Sequence, residues 1–270
     1  LAQAGARLVI LDLQQTELDS LVQHLRDHHN CDALGLCCDV ADALAVEQAI
    51  ALACERVGGI DVLINNAGIG ITGPVEVQDM EATRLAFDTN VFGYHRLTRA
   101  VLPGMRAKKS GLIVPISSQL GRVIAPFAGH YSATKFAVEA MFEQLAYEVA
   151  PHGIEVTIIE PGGYPTKVWV NRNRYSAELK ARADAKHTDG YPGVVARMGS
   201  EDGSGRTADV MDIPRAIAEV AAMPAGTRPL RRPVSGGGIP QTGINEASKA
   251  AQLAMLGGSQ MGQWVRGVLD

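Results

Sequence analysis

The chain has 270 residues, 46% hydrophobic and 20% charged, which is enough apolar material to bury a sizeable core without disulfides. Its net charge is -4 at pH 7 and its basic residues are scattered, which argues against nucleic acid as a partner. No apolar run reaches the roughly 18 residues of a membrane span and the first residues lack the pattern of a secretory leader, so a cytoplasmic protein with no membrane partner is expected.

Strand and helix signals alternate along the chain, the pattern of an α/β domain built as a doubly wound parallel sheet. Short apolar runs bounded by turn residues at 7–11, 33–38, 60–64, 111–116 and 154–159 predict buried strands. Between the first two, Leu18, Leu21, Val22 and Leu25 recur at helical spacing after Thr16, read as an N-cap with Asp19 three residues later. That helix closes at His28-His29, which receive no chemical role. A second helix covers 43–57 and stops at Gly58-Gly59. Longer helices are predicted over 80–108 and 131–150 and a shorter one over 213–222, and the tail after Gly238 has a helical pattern from Glu246 to Leu256. Residues 166–210 break the rhythm, because Gly190, Pro192, Gly199, Gly203 and Gly205 interrupt any sustained period. Pro115 stands inside a strand and cannot donate to its ladder, so a bulge or a missing bond is expected there.

Cysteines at 31, 37, 38 and 54 form no Cys-x-x-Cys and have no histidine at metal-ligand spacing. Cys37 and Cys38 are neighbours on a strand and point to opposite faces. Buried reduced thiols are expected, and no metal.

Tyr131 and Lys135 are four apart in a helical stretch, so an ammonium stands one turn from a phenol on the same face. A charge about 4 Å away, at an effective dielectric near 20, favours phenolate by roughly 4 kcal/mol. Against an ordinary phenol pKa of about 10, a net drop is expected, reduced by burial. Alone the pair is weak evidence, since most such pairs are solvated helix faces. In order, however, the chain also reads Asp12 after Leu-Val-Ile-Leu, Asp39-Val40, Asn65-Asn66-Ala67-Gly68, Asn90, Ser117-Ser118, and Pro161-Gly162 with Thr166. This combination resembles the short-chain dehydrogenase/reductase family, over nearly the whole chain to about residue 235.

The resemblance implies a Rossmann-like single domain over 1–238, with 166–210 as a substrate lid and 239–270 as a C-terminal extension. It implies that Ser118 hydrogen-bonds the reacting oxygen, that Tyr131 moves the proton, that Lys135 lowers its pKa and binds ribose, and that Asn90 holds a water in a relay to Lys135. It places Asp12, Asp39, Val40, Asn66, Gly68, Tyr164 and Thr166, with Tyr131 and Lys135, around a dinucleotide. Asp12 accepts from the ribose hydroxyls and repels a 2′-phosphate, so NAD is favoured over NADP. A turn or capping role competes at Asp12 and Asp39, as does a plain turn for Pro161 to Thr166. Helices 80–108 and 131–150 imply a homodimer or homotetramer.

The family's first strand and its Thr-Gly-x-x-x-Gly-x-Gly loop precede the point at which this chain opens, so a fragment of a longer product is expected. Loss of that strand, central in the sheet, would leave a gap of roughly 10 Å between the strands at 7–11 and 60–64. The leading function is a metal-free hydride transfer between NAD(H) and a secondary alcohol or carbonyl compound. A non-catalytic nucleotide-sensing or scaffold protein is the alternative, favoured by the missing glycine loop and opposed by Ser118, Tyr131 and Lys135. An epimerase or dehydratase is a third, although such relatives usually carry a larger C-terminal domain. Val168, Trp169 and Tyr191 suggest a fairly hydrophobic substrate.

Overall fold

A computed structural model describes residues 1–201 and 203–269. Strands and helices alternate as β1 (Leu8–Asp12), α1 (Gln15–His29), β2 (Ala33–Cys37), α2 (Ala43–Val57) and β3 (Val62–Asn65). Next come α3 (Met80–Phe87) and α4 (Gly93–Lys108), joined by one wide π-type turn at Asp88–Phe92, then β4 (Gly111–Pro115) and α5 (Tyr131–Val149). The remainder is β5 (Ile154–Val156), β6 (Ile158–Pro161), α6 (Val168–Arg182), α7 (Ala185–Thr188), α8 (Pro192–Arg197), α9 (Asp212–Ala222), β7 (Arg231–Val234), α10 (Gln241–Leu256) and α11 (Gly262–Leu269). None of the described helices is long and apolar enough to cross a membrane.

All strand pairs are parallel: β1 with β2, β3 with β4, β4 with β5, and β6 with β7, while an Ile116–Ile159 bridge ties β4 to β6. The described ladders do not join β1 to β3, so the hydrogen bonding is interrupted between the strands expected to be separated neighbours. Both faces of β4 are buried, as a parallel strand with helices on either side requires. Ile113 joins Val46, Ile50, Val101, Val138 and Phe142 in one core, and Leu112, Val114 and Ile116 pack with Ile217 and Val220 of α9 in another.

Pro115 acts through its missing N–H. Thr157 donates to the Ile113 carbonyl and Ser117 donates to the Ile159 carbonyl at 2.8 Å, so the donor absent between them belongs to residue 115. The neighbouring strand is interrupted opposite, at Thr157, and what was expected as one strand over 154–159 is two. No bulge forms, because Ile116 N–H still bonds Asn65 O at 2.9 Å on the other edge.

Four further expectations change. Thr16 lies inside α1, which begins at Gln15 with no side-chain cap, and Asp19 accepts instead from the Gln15 amide. Residues 166–210 are largely helical, because Val168–Arg182 precedes all the glycines that interrupt the later part. Strand β7 was not foreseen, since Arg231-Arg232-Pro233 carries no apolar pattern, yet it pairs with β6 over four residues. Of the four thiols expected to be buried, Cys37 and Cys54 are exposed.

Candidate active site

The carboxyl ends of β3 and β4 and the first turn of α5 meet at one place, where open parallel sheets bind ligands. Tyr131 opens α5 and Lys135 follows one turn later. The Lys135 ammonium is buried, donates to Ile116 O at 2.8 Å, and lies 5.7 Å from the centre of the Tyr131 ring. The Ser118 hydroxyl, beyond the end of β4, is within hydrogen-bonding reach of the Tyr131 phenol and accepts from Leu120 N–H at 3.1 Å. Ile116 O, past the last β3 residue, is free to accept from both Lys135 and Tyr94.

Asn90 is completely buried. Its amide oxygen accepts from Ile69 N–H at 2.8 Å, and its nitrogen donates to Ile69 O at 2.9 Å and to the Thr134 hydroxyl at 3.0 Å. It pins the loop after β3 against α5. Thr134 completes that tie by donating to Tyr131 O at 2.7 Å. The wide turn at Asp88–Phe92 is where the helix carries this inward-pointing amide.

The electrostatics differ from the sequence expectation. Burial pushes the Tyr131 phenol above its ordinary value, and only the Ser118 hydrogen bond and the Arg172 charge oppose it. Lys135 is not among the groups that hold the phenol down, and its own burial lowers it to about 8, with Glu139 one turn further on holding it up in part. Desolvation outweighs an attraction that a solvated pair at helical spacing would have felt.

The cofactor-side residues lie at successive strand ends. Asp12 is exposed at the end of β1 and uses one carboxylate oxygen to accept from Gln14 N–H at 2.9 Å, so it serves a turn. Asp39 accepts from Ala41 N–H at 2.8 Å, while the helix cap is Asp42, which accepts from Leu44 and Ala45. Val40 is core: it packs so closely on α4 that a Cβ at Gly93 would stand 2.8 Å from its methyl. Asn66 and Gly68 are exposed. A Cβ at Gly68 would stand 3.3 Å from Asn90 Oδ1 and 3.9 Å from Lys135 Nζ, so the bare glycine leaves a cradle beside the ammonium. That donor set fits the ribose of a nicotinamide dinucleotide. Tyr164, expected at the nicotinamide, instead turns its buried phenol to Asp212 at 3.3 Å, and Thr166 stays exposed.

Arg172, Arg206 and the surroundings of Trp169 carried no sequence motif. Trp169 is buried, and the guanidinium carbons of Arg172 and Arg206 stand 3.9 and 4.0 Å from its ring centre. Tyr191 bonds Glu76 at 3.1 Å. Two of the three residues behind the expectation of a hydrophobic substrate are thus engaged elsewhere. Behind the site, the inward face of α5 continues into Glu139 and Glu143, which meet Arg231 of β7 and Glu160 of β6. Asn245 of α10 donates to both Glu160 oxygens, at 3.0 and 2.8 Å, and Gln252 bonds Glu143. Spacing of i, i+4 from Lys135 was the only sequence signal for this cluster.

A family model described as short chain dehydrogenase matches residues 1–176. A 3-ketodihydrosphingosine reductase from Bacteroides thetaiotaomicron is 44% identical over 135 residues, half of this chain and half of that protein. The chain spans about half the length of the curated relatives it matches. The crystal structure of a short-chain dehydrogenase from Streptomyces avermitilis superposes with a TM-score of 0.70 at 30% identity, covering 93% of this chain and 88% of that one. A short chain dehydrogenase/reductase from Burkholderia phymatum in complex with NAD gives a TM-score of 0.72 at 22% identity, over 94% and 87%, and shares the fold. Another matched structure has NADP bound.

Proposed function

The chain belongs to the short-chain dehydrogenase family of oxidoreductases, and on that premise we propose that it transfers a hydride between NAD(H) and a secondary alcohol or carbonyl compound. One observation carries the reading: a hydroxyl, a phenol and an ammonium converge at the carboxyl edge of the sheet, beside an open glycine cradle.

The dinucleotide, when bound, supplies or accepts the hydride. Ser118 and Tyr131 hydrogen-bond the substrate oxygen and lower the cost of the charge that develops on it. Tyr131 Oη gives that oxygen its proton in reduction and takes it in oxidation. Lys135 presents its charge and N–H groups to the ribose, and favours phenolate as solvent is displaced. Asn90 holds the Ile69 loop in place, and a water relay towards Lys135 starts from the same corner. Exposed Asp12, with one oxygen spared by its turn, receives the adenosine ribose and favours NAD. Segment 166–210 serves as the lid over the substrate. A groove between α4 and α5, lined by His95, Leu102, Met141 and Leu145, is the contact through which two copies pair.

Tyr131→Phe, assayed with NAD across a panel of secondary alcohols, is expected to lower kcat by about 10²–10⁴-fold while leaving most of the cofactor affinity. Turnover at the wild-type rate removes Tyr131 from the chemistry.

A further inference from the structure

Tyr94 is completely buried and follows Gly93 in the first turn of α4, four residues after Asn90. Gly93 has no side chain to hold α4 away from Val40, so the next residue comes in close to the sheet. Its ring stands edge-on to Phe142 of α5, with centroids 6.2 Å apart and planes at 71°, which fixes its orientation.

Lys135 lies against this ring. Its ammonium is 5.3 Å from the centre of Tyr94 and 5.7 Å from that of Tyr131, so one cation stands over two aromatic faces. The Tyr94 hydroxyl donates to Ile116 O at 3.2 Å, and the ammonium donates to the same carbonyl at 2.8 Å. That oxygen, two residues before Ser118, thus has both lone pairs taken. Burial pushes the Tyr94 phenol above its ordinary range, so it stays a neutral donor and takes no part in proton transfer.

A buried ammonium needs such support, because an ion out of water is strongly disfavoured unless it is paired and hydrogen-bonded. Glu139, one turn further along α5, holds Lys135 up in part but pairs with Arg231 at 2.9 Å. Asn90 uses its amide on Ile69 and Thr134. Among the described residues, the phenols of Tyr94 and Tyr131 are the other titratable groups set against the ammonium.

We propose that Tyr94 is a positioning residue for hydride transfer: its ring face seats the Lys135 ammonium, and its hydroxyl fixes the carbonyl to which that ammonium is tied. Its part in turnover rests on the hydride-transfer reading, whereas its hold on Lys135 rests on the side chains alone.

The full chain, labelled with carbon-13 at lysine Cε, reports the ionisation of Lys135 by NMR, its signal identified by its loss in Lys135→Met. With no cofactor added, the midpoint, about 8 in the unaltered protein, should fall by about one unit in Tyr94→Leu, tenfold in the protonation equilibrium. Tyr94→Phe, which keeps the ring, should stay close to the unaltered value. Turnover of a secondary alcohol with NAD should then drop in Tyr94→Leu by roughly fivefold at pH 8 and hardly at all at pH 6, where Lys135 is charged in both proteins. An unchanged or raised midpoint in Tyr94→Leu overturns the proposal, as does an equal loss of turnover at both pH values, which marks a packing defect. A shift in Tyr94→Phe as large as that in Tyr94→Leu overturns the role of the ring. If the midpoint falls as expected while the unaltered protein oxidises no alcohol of the panel, the hold of Tyr94 on Lys135 is sustained and the hydride-transfer reading fails.

Discussion

Arg231→Met removes the cation that ion-pairs the buried carboxylates behind the active site while keeping a long side chain. Arg231 Nε lies 2.9 Å from Glu139 Oε2 and 3.6 Å from Glu160 Oε1, and Nη2 bonds Glu143, with all four side chains at most 9% exposed. Removing one member of a buried pair leaves uncompensated charge and costs about 3–5 kcal/mol. A second route gives a similar figure. The orphaned carboxylates can take up protons, and protonating a carboxyl of pKa about 4.3 at pH 7 costs about 3.7 kcal/mol. Glu160 contributes little, because burial and the Glu139 charge have already pushed it up to about 7. Glu143 carries the cost: burial raises it, but the Arg231 charge and the Tyr147 and Arg231 hydrogen bonds hold it below its ordinary value.

For a chain of this size a loss of that order lowers Tm by about 6–20 °C. Because Glu143 is depressed in the folded state, its contribution is present above its unfolded pKa and disappears as pH falls. The penalty in the variant must therefore shrink with acidity, to about 1 kcal/mol at pH 5 by the same protonation argument. Urea unfolding of both proteins at pH 5 and pH 8, extrapolated linearly, measures it. A loss below about 1 kcal/mol at pH 8, where the full penalty is due, or an equal loss at both values, refutes the account.

Asp12→Arg should reverse cofactor preference towards NADP, read as the ratio of kcat/KM for the two dinucleotides, because the carboxylate that repels a 2′-phosphate becomes a cation that pairs with it. An unchanged ratio leaves Asp12 with its turn alone. Lys135, lowered to about 8 by burial, keeps its charge below that value and loses it above. The Kd for NAD should accordingly rise between pH 7 and pH 9, a change that isothermal titration detects. A flat profile detaches the ammonium from the cofactor.

Much of the scaffold could be read before any coordinates, where a local pattern and its tertiary setting agree. Residues 43–57 form a helix that stops at Gly58, whose φ of 82° is the left-handed turn expected of a terminating glycine. The missing N–H of Pro115 was visible as well, although its effect emerged in the adjacent strand. Elsewhere the signal was non-local. Segment Arg231–Val234 is polar and contains proline, and becomes a strand only because β6 offers it an edge. Asn90 was singled out through the resemblance alone, and nothing local to it showed that the wide turn would face it inward.

Covalent order alone set the Tyr131–Lys135 spacing, the position of Ser118 ahead of them and the alternation of strands and helices, because periodicity and side-chain direction are properties of short segments. Tertiary structure decided the rest. Burial, which no single residue encodes, put the Tyr131 phenol above its ordinary value instead of below it, closed Tyr164 onto Asp212, and gathered Glu139, Glu143, Glu160 and Arg231 from three elements. Ionisation and charge pairing depend on which segments exclude water together, and that is settled only when the chain has packed.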